Sequence, residues 1–531
     1  MNKRAKYFPT SSLLSLIIVC CACSLPTTTA QETPESWYQE GQATVRRNLA
    51  LRNQIPVDGV AKNVILFVGD GMGISTITAA RILEGQLRGE SGEENALFFE
   101  SFPNVALSKT YNTNGQVPDS AGTMSAMASG IKTDVGLISV NQNVVRGDCD
   151  SVSGNETLTF LERAEMRGLA TGVVSTARLT HATPAANYAH SMDRNFEDDR
   201  DASELSNAGD CADIARQLVE FSNNVANSDG IEVALGGGRR SFLPRTDGVD
   251  PETNGQGERL DGRDLSQEWI NNHDNAAYVW NREQFNDIDP ATTDHLLGLF
   301  DPSHMEYTVD RLNDVAGEPS LSEMTAKAIQ VLSKNPKGYY LNVEAGRIDH
   351  AHHAANPNRA LMDTIELAEA VRTAVEMVDL SETLIIVTAD HSHVFTIAGY
   401  PARGNPILGK VVGVDSAGET RTDLSLAEDG LPYTTLGYNN GPGFHLIKDS
   451  GSADDVYEED IHMSGRVDLT NVDTTATGFH SETVVPMSSE THGGEDVAIF
   501  AIGAGADLVR GVMEQHVIFH VMMEASQLES R

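Results

Sequence analysis

The sequence predicts an α/β fold with a doubly wound, mostly parallel central sheet flanked by helices. From Lys62 onward, apolar strand-like runs alternate with amphipathic helical stretches, which is the βαβ pattern of such sheets. Four of the apolar runs also lead into acidic residues or histidines. Open α/β sheets bind ligands just beyond the carboxyl ends of their strands. We therefore expect one polar site, assembled from distant segments, at that edge of the sheet.

The predicted elements alternate along the chain. Short runs of mainly apolar residues indicate strands, and longer amphipathic stretches indicate helices. The predicted strands are Val64–Val68, Ala170–Thr176, Ile231–Leu235, Tyr339–Val343, Leu384–Val387 and Val497–Ile502. The predicted helices are Ile74–Leu87, Ser120–Ser129, Glu156–Arg167, Cys211–Phe221, Ser322–Leu332 and Pro357–Val378.

The alternation stops between residues 396 and 479. Turns rich in glycine, proline and aspartate separate short β-prone pieces there, such as Tyr433–Leu436 and Phe444–Ile447. We predict a small β-rich subdomain at 396–479, inserted into an α/β domain that spans 31–531. The segment Asp247–Arg263 is dense in Gly, Asp and Glu, which indicates a loop or a cation-binding excursion rather than a linker.

Residues 1–30 have the features of an export signal. Three basic residues precede an apolar stretch from Leu13 to Ala22, which is too short to span a bilayer, and a small-residue cleavage site ends at Ala30. We expect an exported protein without a transmembrane span, located in the periplasm, on the cell surface or outside the cell. Lipidation at Cys23 is an alternative, although the residues before it match a lipoprotein signal poorly.

Composition limits the partners of the chain. Among 531 residues, 76 are acidic and 38 are basic, which gives a formal net charge of −38. This balance disfavours nucleic acid as a partner, and an anionic substrate would need bound cations to invert the local potential. After removal of the signal, only Cys149 and Cys211 remain. Such a pair in an exported chain forms one disulfide more often than it stays as two free thiols.

Acidic residues and histidines at the strand ends indicate a metal centre. Asp349 and His353 are four residues apart at the start of a predicted helix, so they can reach one cation together. Three oxygen and nitrogen ligands with one open position are typical of catalytic zinc. His350 and His352 are expected to be neighbours rather than ligands. The other candidates near strand ends are Asp70, His181, Thr183, Glu344, Asp390, His391 and His492.

Ser120 is the candidate nucleophile. It lies where a helix of small residues is predicted to begin, and N–H groups and the helix dipole stabilise an anion there. A serine in this position is most often only an N-cap. The GxSxG elbow of lipases is absent, so activation by a metal is the better account.

Five segments look like the signature segments of alkaline phosphatases, and the similarity extends in order from about Asn63 to the carboxyl terminus. They are Val68–Gly73, Asp119–Ala121, Gly346–His350, Thr388–His393 and Thr491–Asp496. The resemblance implies hydrolysis of phosphate monoesters to an alcohol and inorganic phosphate through a covalent phosphoserine on Ser120. It also implies two zinc ions and one magnesium ion.

The resemblance assigns a role to each candidate. It implies one zinc held by Asp349, His353 and His492, and another held by Asp70, Asp390 and His391. It implies a magnesium ion bound by Asp70, Thr183 and Glu344, with His181 beside it. Arg194 matches the arginine that grips the phosphate, a role suited to its bidentate fork.

His181 and His350 resemble the animal and some marine bacterial members of the family rather than the enteric bacterial form. Cys149 and Cys211 match the spacing of a disulfide in the animal-type enzymes. A calcium ion in that subgroup is held at the positions of Glu252, Phe300 (through its carbonyl), Asp301 and Glu318, although Asp301 and Glu318 replace a Glu and an Asp. The 396–479 insertion resembles a crown region that often lies at a dimer interface, so a homodimer is expected.

Two other functions are compatible with parts of the pattern. The first is hydrolysis of phosphodiesters or sulfate esters on the same fold, but Ser120 lacks the Cys/Ser-x-Pro-x-Arg context of sulfatases and Arg194 suits a dianionic monoester. The second is an exported acidic protein that binds cations without catalysis. No candidate ligand is missing, which argues against it.

Overall fold

The computed structural model describes residues 59–446 and 465–530, and a ten-stranded sheet organises them. The strands are β1 (Asn63–Gly69), β2 (Asn104–Lys109), β3 (Ala170–Arg178), β4 (Val233–Gly237), β5 (Ala276–Val279), β6 (His295–Leu299), β7 (Tyr339–Ala345), β8 (Thr383–Ala389), β9 (Ser392–His393), β10 (Phe395–Ile397), β11 (Leu436–Gly441), β12 (His445–Leu446), β13 (Phe479–His480), β14 (Thr483–Pro486), β15 (His492–Gly493), β16 (Val497–Gly503) and β17 (Gly511–Glu514). The order in the large sheet is β17-β2-β16-β8-β1-β7-β3-β4-β6-β5. Its strands are parallel except for β16, which is antiparallel to both of its neighbours. The predicted doubly wound, mostly parallel sheet is confirmed.

Helices cover both faces of this sheet. They are α1 (Ile74–Leu87), α2 (Ser120–Ser129), α3 (Phe160–Met166), α4 (Ala182–Ala185), α5 (Ile214–Val219), α6 (Phe221–Asn224), α7 (Leu265–Asn272), α8 (Arg282–Asp287), α9 (Leu321–Leu332), α10 (Arg347–His353), α11 (Pro357–Met377) and α12 (Val517–Ser526). Side chains of β1 alternate between two cores: Leu66 packs in the core with α2 and α12, and Phe67 in the core with α9 and α11. Because both of their faces are buried, the central strands β1 and β8 are largely apolar, whereas the outer strands β2 and β17 carry exposed residues. Among the described residues, no helix is both long and apolar enough to cross a bilayer.

Capping residues explain where the structure departs from the predicted helix bounds. The helix predicted from Glu156 begins at Phe160, because Thr159 and Glu162 form a reciprocal capping box. The helix predicted from Cys211 begins at Ile214, because the Asp213 side chain accepts a hydrogen bond from the third helical N–H. Strands β2, β5, β6 and β17 and helix α12 were not predicted. They are short, or they lack the periodic pattern that identifies an element in a sequence.

The chain leaves the large sheet between β8 and β16. There β10, β11 and β14 form a three-stranded sheet, while β12 pairs with β13 and β9 with β15. The predicted strand Tyr433–Leu436 begins only at Leu436, which pairs with Ile397, and Ile447 lies outside the described residues. This β-rich region belongs to the same compact unit as the large sheet, Asn53–Arg531.

The register of β1 brings acidic residues to one edge of the sheet. Gly69 is paired with Ala345 of β7 and with Ala389 of β8. Asp70 and Asp390 therefore leave their strands at the same level, and Glu344, which is paired with Val68, lies two residues before that level. The predicted polar edge follows directly from this parallel pairing.

The predicted disulfide is present between Cys149 and Cys211, whose Cα atoms are 5.8 Å apart. Both cysteines pack against a small core that includes Met192 and Phe196. These two residues flank Arg194 in the chain. The disulfide therefore supports the segment that presents this arginine to the site.

A buried pair of glutamates lies at the opposite, amino edge of the sheet. Glu165 of α3 is 1% exposed, and its carboxylate accepts hydrogen bonds from Thr171 Oγ1 at 2.5 Å and Ser228 Oγ at 2.6 Å. Glu232 accepts from Thr171 N at 2.6 Å. Burial raises the pKa of Glu165 to about 7, and burial and the Glu165 charge raise the pKa of Glu232 well above its usual value. The folded protein therefore retains protons here that the unfolded chain releases near pH 4.5.

We expect Glu165→Gln to stabilise the protein in alkaline solution. Because the folded-state pKa of Glu165 is raised, its contribution to stability falls as pH rises from about 4.5 to 7 and stays lost above that range. The free energy of unfolding of the variant, measured by denaturant titration, should match that of the wild type at pH 5 and exceed it by about 1 to 3 kcal/mol at pH 9. Glu204→Gln, at an exposed position, is the control. Identical pH dependence in Glu165→Gln and the wild type would contradict the prediction.

Candidate active site

Ser120 is the first residue of α2 and is almost completely buried. The Asp119 side chain caps this helix by accepting from Gly122 N at 3.1 Å, so Ser120 does not serve as the N-cap. Ser120 Oγ lies 3.1 Å from His391 Nε2 and 3.3 Å from Asp70 Oδ1. The hydroxyl thus faces the polar edge of the sheet.

Asp349, His353 and His492 form the first ligand cluster. Asp349 Oδ1 is 3.4 Å from His353 Nε2 and 3.4 Å from His492 Nε2, and the two nitrogens are 3.1 Å apart. His353 Nδ1 lies 2.6 Å from the Glu490 carbonyl, and His492 Nδ1 lies 2.7 Å from the Pro118 carbonyl. A carbonyl oxygen only accepts, so Nδ1 carries the proton and both Nε2 lone pairs face Asp349. This donor spacing fits one tetrahedral zinc ion.

Asp70, Asp390 and His391 form the second cluster, directly beside Ser120. His391 Nε2 is 3.4 Å from Asp70 Oδ1 and 3.2 Å from Asp390 Oδ2, and all three side chains are fully buried. The His391 ring stacks on His492 of the first cluster with 3.6 Å between ring centroids. The two clusters are therefore adjacent, and they form one site.

A third cluster contains Asp70, Glu344, His181 and Thr183. Asp70, Glu344 and His181 each offer an atom within 4.8 Å of the others. Within residues 59–446 and 465–530, four buried atoms of this cluster have no hydrogen-bond partner: Asp70 Oδ2, Glu344 Oε1, Thr183 Oγ1 and His181 Nδ1. Unpaired buried oxygen atoms are costly, and a bound cation would satisfy them.

Burial shapes the charges of these clusters. It raises the pKa of Asp70, where repulsion from Asp390 adds to the effect, and it raises the pKa of Glu344 to about 8. It lowers the pKa of His353 to about 4, which keeps that imidazole neutral. Burial by itself would raise the pKa of Asp349. The neighbouring His353, together with His393 and His492, nevertheless holds the pKa of Asp349 well below its usual value. Concentrated buried carboxylates and neutral imidazoles together fit divalent metal ions.

Arg194 lies at the mouth of the site. Its Nη1 donates to Asp119 Oδ2 at 3.1 Å, and its Nη2 is 3.2 Å from His181 Nε2. The preceding Asp193 accepts two hydrogen bonds from Arg146, at 2.9 and 3.1 Å. The guanidinium is thus held near the amino end of α2, where it can reach an anion bound at Ser120.

His350 and His352 lie outside the clusters, as expected. His350 Nδ1 is 3.0 Å from Arg347 Nη1, and His352 lies between Thr76 Oγ1 and Tyr438 OH, each at 2.9 Å. They fill the space behind the ligands.

Sequence reasoning missed His393 and Glu490. His393 Nε2 is 2.8 Å from Asp349 Oδ1, and His393 Nδ1 is 2.5 Å from Glu490 Oε2. His393 belongs to one of the signature segments, but nothing in that segment shows that it contacts Asp349. Ser175, which donates to Glu344, was also missed.

Three of the four calcium candidates lie near β6 or α9: Phe300 and Asp301 follow β6, and Glu318 precedes α9. The fourth, Glu252, lies in the loop Asp247–Arg263. Asp301 Oδ1 accepts from Ser303 N at 2.6 Å, and Glu252 Oε2 is 2.5 Å from Arg239 Nη2. Glu318 Oε2 accepts from Glu306 N at 3.0 Å, while Glu318 Oε1 has no hydrogen-bond partner among the residues that the structure describes.

Burial raises the pKa of Asp301 to about 7 and that of Glu318 well above its usual value, and repulsion between them adds to the effect on Glu318. Phe300 is buried beside Asp301. In the part of the chain that the structure describes, these carboxylates do not form a group as tight as the three clusters above.

The sequence is similar to those of known alkaline phosphatases. A family model described as "Alkaline phosphatase" matches residues 61–528. The tissue-nonspecific alkaline phosphatase of Gallus gallus is 44% identical, over 97% of this chain and 93% of its own length. An alkaline phosphatase of Gadus morhua is 42% identical, over 93% of this chain and 97% of its own length.

Solved structures agree at the level of the fold. The alkaline phosphatase of Thermus thermophilus superposes with a TM-score of 0.59 at 23% identity, covering 90% of this chain and 94% of its own. That of the Antarctic bacterium TAB5 superposes with a TM-score of 0.57 at 22% identity, covering 88% of this chain and 99% of its own. With a family model across most of its length and full-length relatives above 40% identity, the chain belongs to the alkaline phosphatase family, a family of phosphate monoester hydrolases.

Proposed function

We propose that the chain hydrolyses phosphate monoesters to an alcohol and inorganic phosphate through a phosphoserine formed on Ser120. The observation that carries the proposal is the position of Ser120 Oγ, within 3.3 Å of both His391 and Asp70 at the start of α2. A serine that only capped the helix would not need this contact with two candidate metal ligands. Family membership supports the same chemistry.

The three clusters would hold two zinc ions and one magnesium ion. The zinc ligands would be Asp349, His353 and His492 at one site and Asp70, Asp390 and His391 at the other. The magnesium ligands would be Asp70, Thr183 and Glu344, with His181 beside them. When bound, such ions supply Lewis acidity toward the attacking and leaving oxygens and neutralise charge on the phosphoryl group.

The residues of the chain direct two successive displacements at phosphorus. Ser120 Oγ gives up its proton and forms a bond to phosphorus while the bond to the alcohol oxygen breaks, and the departing oxygen takes up one proton to become the alcohol. A water molecule then attacks the phosphoserine, which releases inorganic phosphate and returns the serine hydroxyl. Two in-line displacements give net retention at phosphorus. Asp119 fixes the geometry because it caps α2 and thereby holds Ser120 in the first turn.

Arg194 binds the phosphoryl oxygens. Its planar fork offers two parallel N–H donors, which match a dianionic monoester better than a diester. Asp119 Oδ2 accepts from one end of the fork and so sets its orientation. Asp119 therefore aligns the nucleophile and the arginine at once. This arrangement favours a monoester over the diester and sulfate alternatives.

The chain is further proposed to be exported and to form a homodimer. Export rests on the predicted signal at 1–30, which lies outside the described residues. Dimerisation rests on the likeness of the 396–479 insertion to a crown region. The small sheet of β10, β11 and β14 supports an inserted subdomain of this kind.

Ser120→Ala should reduce kcat by about a thousandfold or more, because the variant cannot form the phosphoserine. The measurement is hydrolysis of a chromogenic phosphate monoester by zinc- and magnesium-loaded protein from pH 7 to 10. Ser129→Ala, at the far end of α2, is the control and should keep wild-type activity. A Ser120→Ala variant with more than a tenth of the wild-type kcat would rule out the covalent route. A folded, metal-loaded wild type that is inert on monoesters would direct the search to diesters and sulfates.

Arg194→Lys should weaken binding more than chemistry. Lysine keeps the charge but loses the fork, so we expect KM and the inhibition constant of inorganic phosphate to rise about 10- to 100-fold, with a smaller fall in kcat. Arg216→Lys, in a partly exposed ion pair with Glu220, is the control. Unchanged phosphate inhibition in Arg194→Lys would show that the arginine does not contact phosphate.

Calcium should raise the thermal unfolding temperature of the wild type but not that of Glu318→Gln. Glu318 is buried and its Oε1 is unpartnered, so it is the candidate whose charge most needs a cation. The readout is the shift in Tm on adding millimolar calcium, with Glu283→Gln at an exposed position as the control. Equal shifts in the wild type and Glu318→Gln would place any calcium site elsewhere.

A further inference from the structure

Glu490 is a buried acidic residue that none of the predicted ligand sets includes. It is 1% exposed and lies two residues before His492. Its main chain forms two hydrogen bonds with His353: Glu490 N donates to the His353 carbonyl at 2.9 Å, and the Glu490 carbonyl accepts from His353 Nδ1 at 2.6 Å. The same carbonyl also accepts from Ser489 Oγ at 3.1 Å. The main chain of Glu490 therefore determines both the position and the tautomer of His353.

The carboxylate of Glu490 acts on a different ligand. Its Oε1 accepts from Val394 N at 2.7 Å, and its Oε2 is 2.5 Å from His393 Nδ1. The other nitrogen of His393 lies 2.8 Å from Asp349 Oδ1. His393 is fully buried and thus connects two carboxylates, one of which faces His353 and His492.

We propose that Glu490 is a positioning residue that holds two of the three ligands of the first cluster. It orients His353 through its carbonyl and Asp349 through its carboxylate and His393. The inference rests on the proposed function only in taking this cluster to bind zinc. Groups that orient metal ligands in this way commonly change metal affinity 10- to 100-fold when they are removed.

Glu490 does not fit the role of a ligand itself. Glu490, His353 and His393 do lie close enough together to hold an ion. However, both carboxylate oxygens already accept N–H groups, and His353 presents Nδ1 rather than Nε2 to this residue. Its contacts therefore suit support of the ligands better than coordination.

The inserted region holds Glu490 in place. Asn440 of β11 accepts from Thr491 N at 3.0 Å and donates to Thr491 Oγ1 at 2.9 Å. One residue further, His492 of β15 pairs with His393 of β9. The same short segment thus delivers a ligand, His492, and the residue that orients the other two.

The test compares zinc release from the zinc-loaded wild type and Glu490→Gln, using a colorimetric zinc chelator in excess. We expect one of the two zinc ions to leave about 10- to 100-fold faster from Glu490→Gln, and added zinc to restore its activity. Glu495→Gln is the matched control, because Glu495 lies in the same segment, is exposed and contacts Ser392 Oγ at 2.8 Å. Zinc release within twofold of the wild type would overturn the proposal.

A double-mutant cycle tests the route through His393. If the Glu490 carboxylate acts by holding His393, then Glu490→Gln combined with His393→Gln should release zinc no faster than His393→Gln alone. Additive effects would overturn the route. If Glu490→Gln does not fold, zinc release from His393→Gln becomes the deciding measurement. Release at the wild-type rate from that variant would exclude the route from Glu490 through His393 to Asp349. Zinc retention is measured independently of hydrolysis. If the wild type did not hydrolyse monoesters but these variants still released zinc faster than the wild type, only the proposed function would be refuted.

Discussion

The burial of several carboxylates around Asp70 is the constraint on which the rest of the structure depends. Asp70 is fully buried, its carboxylate lies against Ser120 and His391, and it belongs to two of the three ligand clusters. Burial and neighbouring carboxylates raise its pKa, so the charged form is costly in the folded protein unless cations are present. A chain with a formal charge of −38 adds to that cost. The site therefore makes physical sense only as a metal centre.

The parallel sheet explains how so many ligands meet. Strands β1, β7 and β8 run side by side in one direction, so the residues at their carboxyl ends arrive at the same edge of the sheet. The antiparallel β16 and the pairing of β15 with β9 then bring His492 back to the same edge from the far end of the chain. Helix α2 completes the arrangement by directing its amino end at the cluster. The polar edge is thus a consequence of strand direction and register.

Residues behind the candidate ligands, the serine and the arginine orient these groups. Asp119 joins the cap of α2 to Arg194, and Glu490 joins His353 to His393. In each case one acidic residue serves two functional groups: Asp119 through its two carboxylate oxygens, and Glu490 through its main-chain carbonyl and its carboxylate. This sharing reduces the number of buried charges that the fold must accommodate. The disulfide between Cys149 and Cys211 supports the arginine segment from outside the sheet. The inserted region supports the segment that contains Glu490 and His492 through Asn440 of β11, which contacts Thr491.

The sequence by itself determined the fold class and identified the candidate ligands, because both depend on local patterns. Asp70 and Asp390 each follow a buried apolar strand, and Asp349 and His353 have helical spacing, so their residue types and neighbours are sufficient evidence. Only the tertiary structure decided which residues orient those ligands. Glu490 and His393 are 97 residues apart, and their contact exists because two short strands pair across the insertion. Hydrogen bonds between distant segments leave no periodic signal in a sequence, whereas burial and secondary structure do.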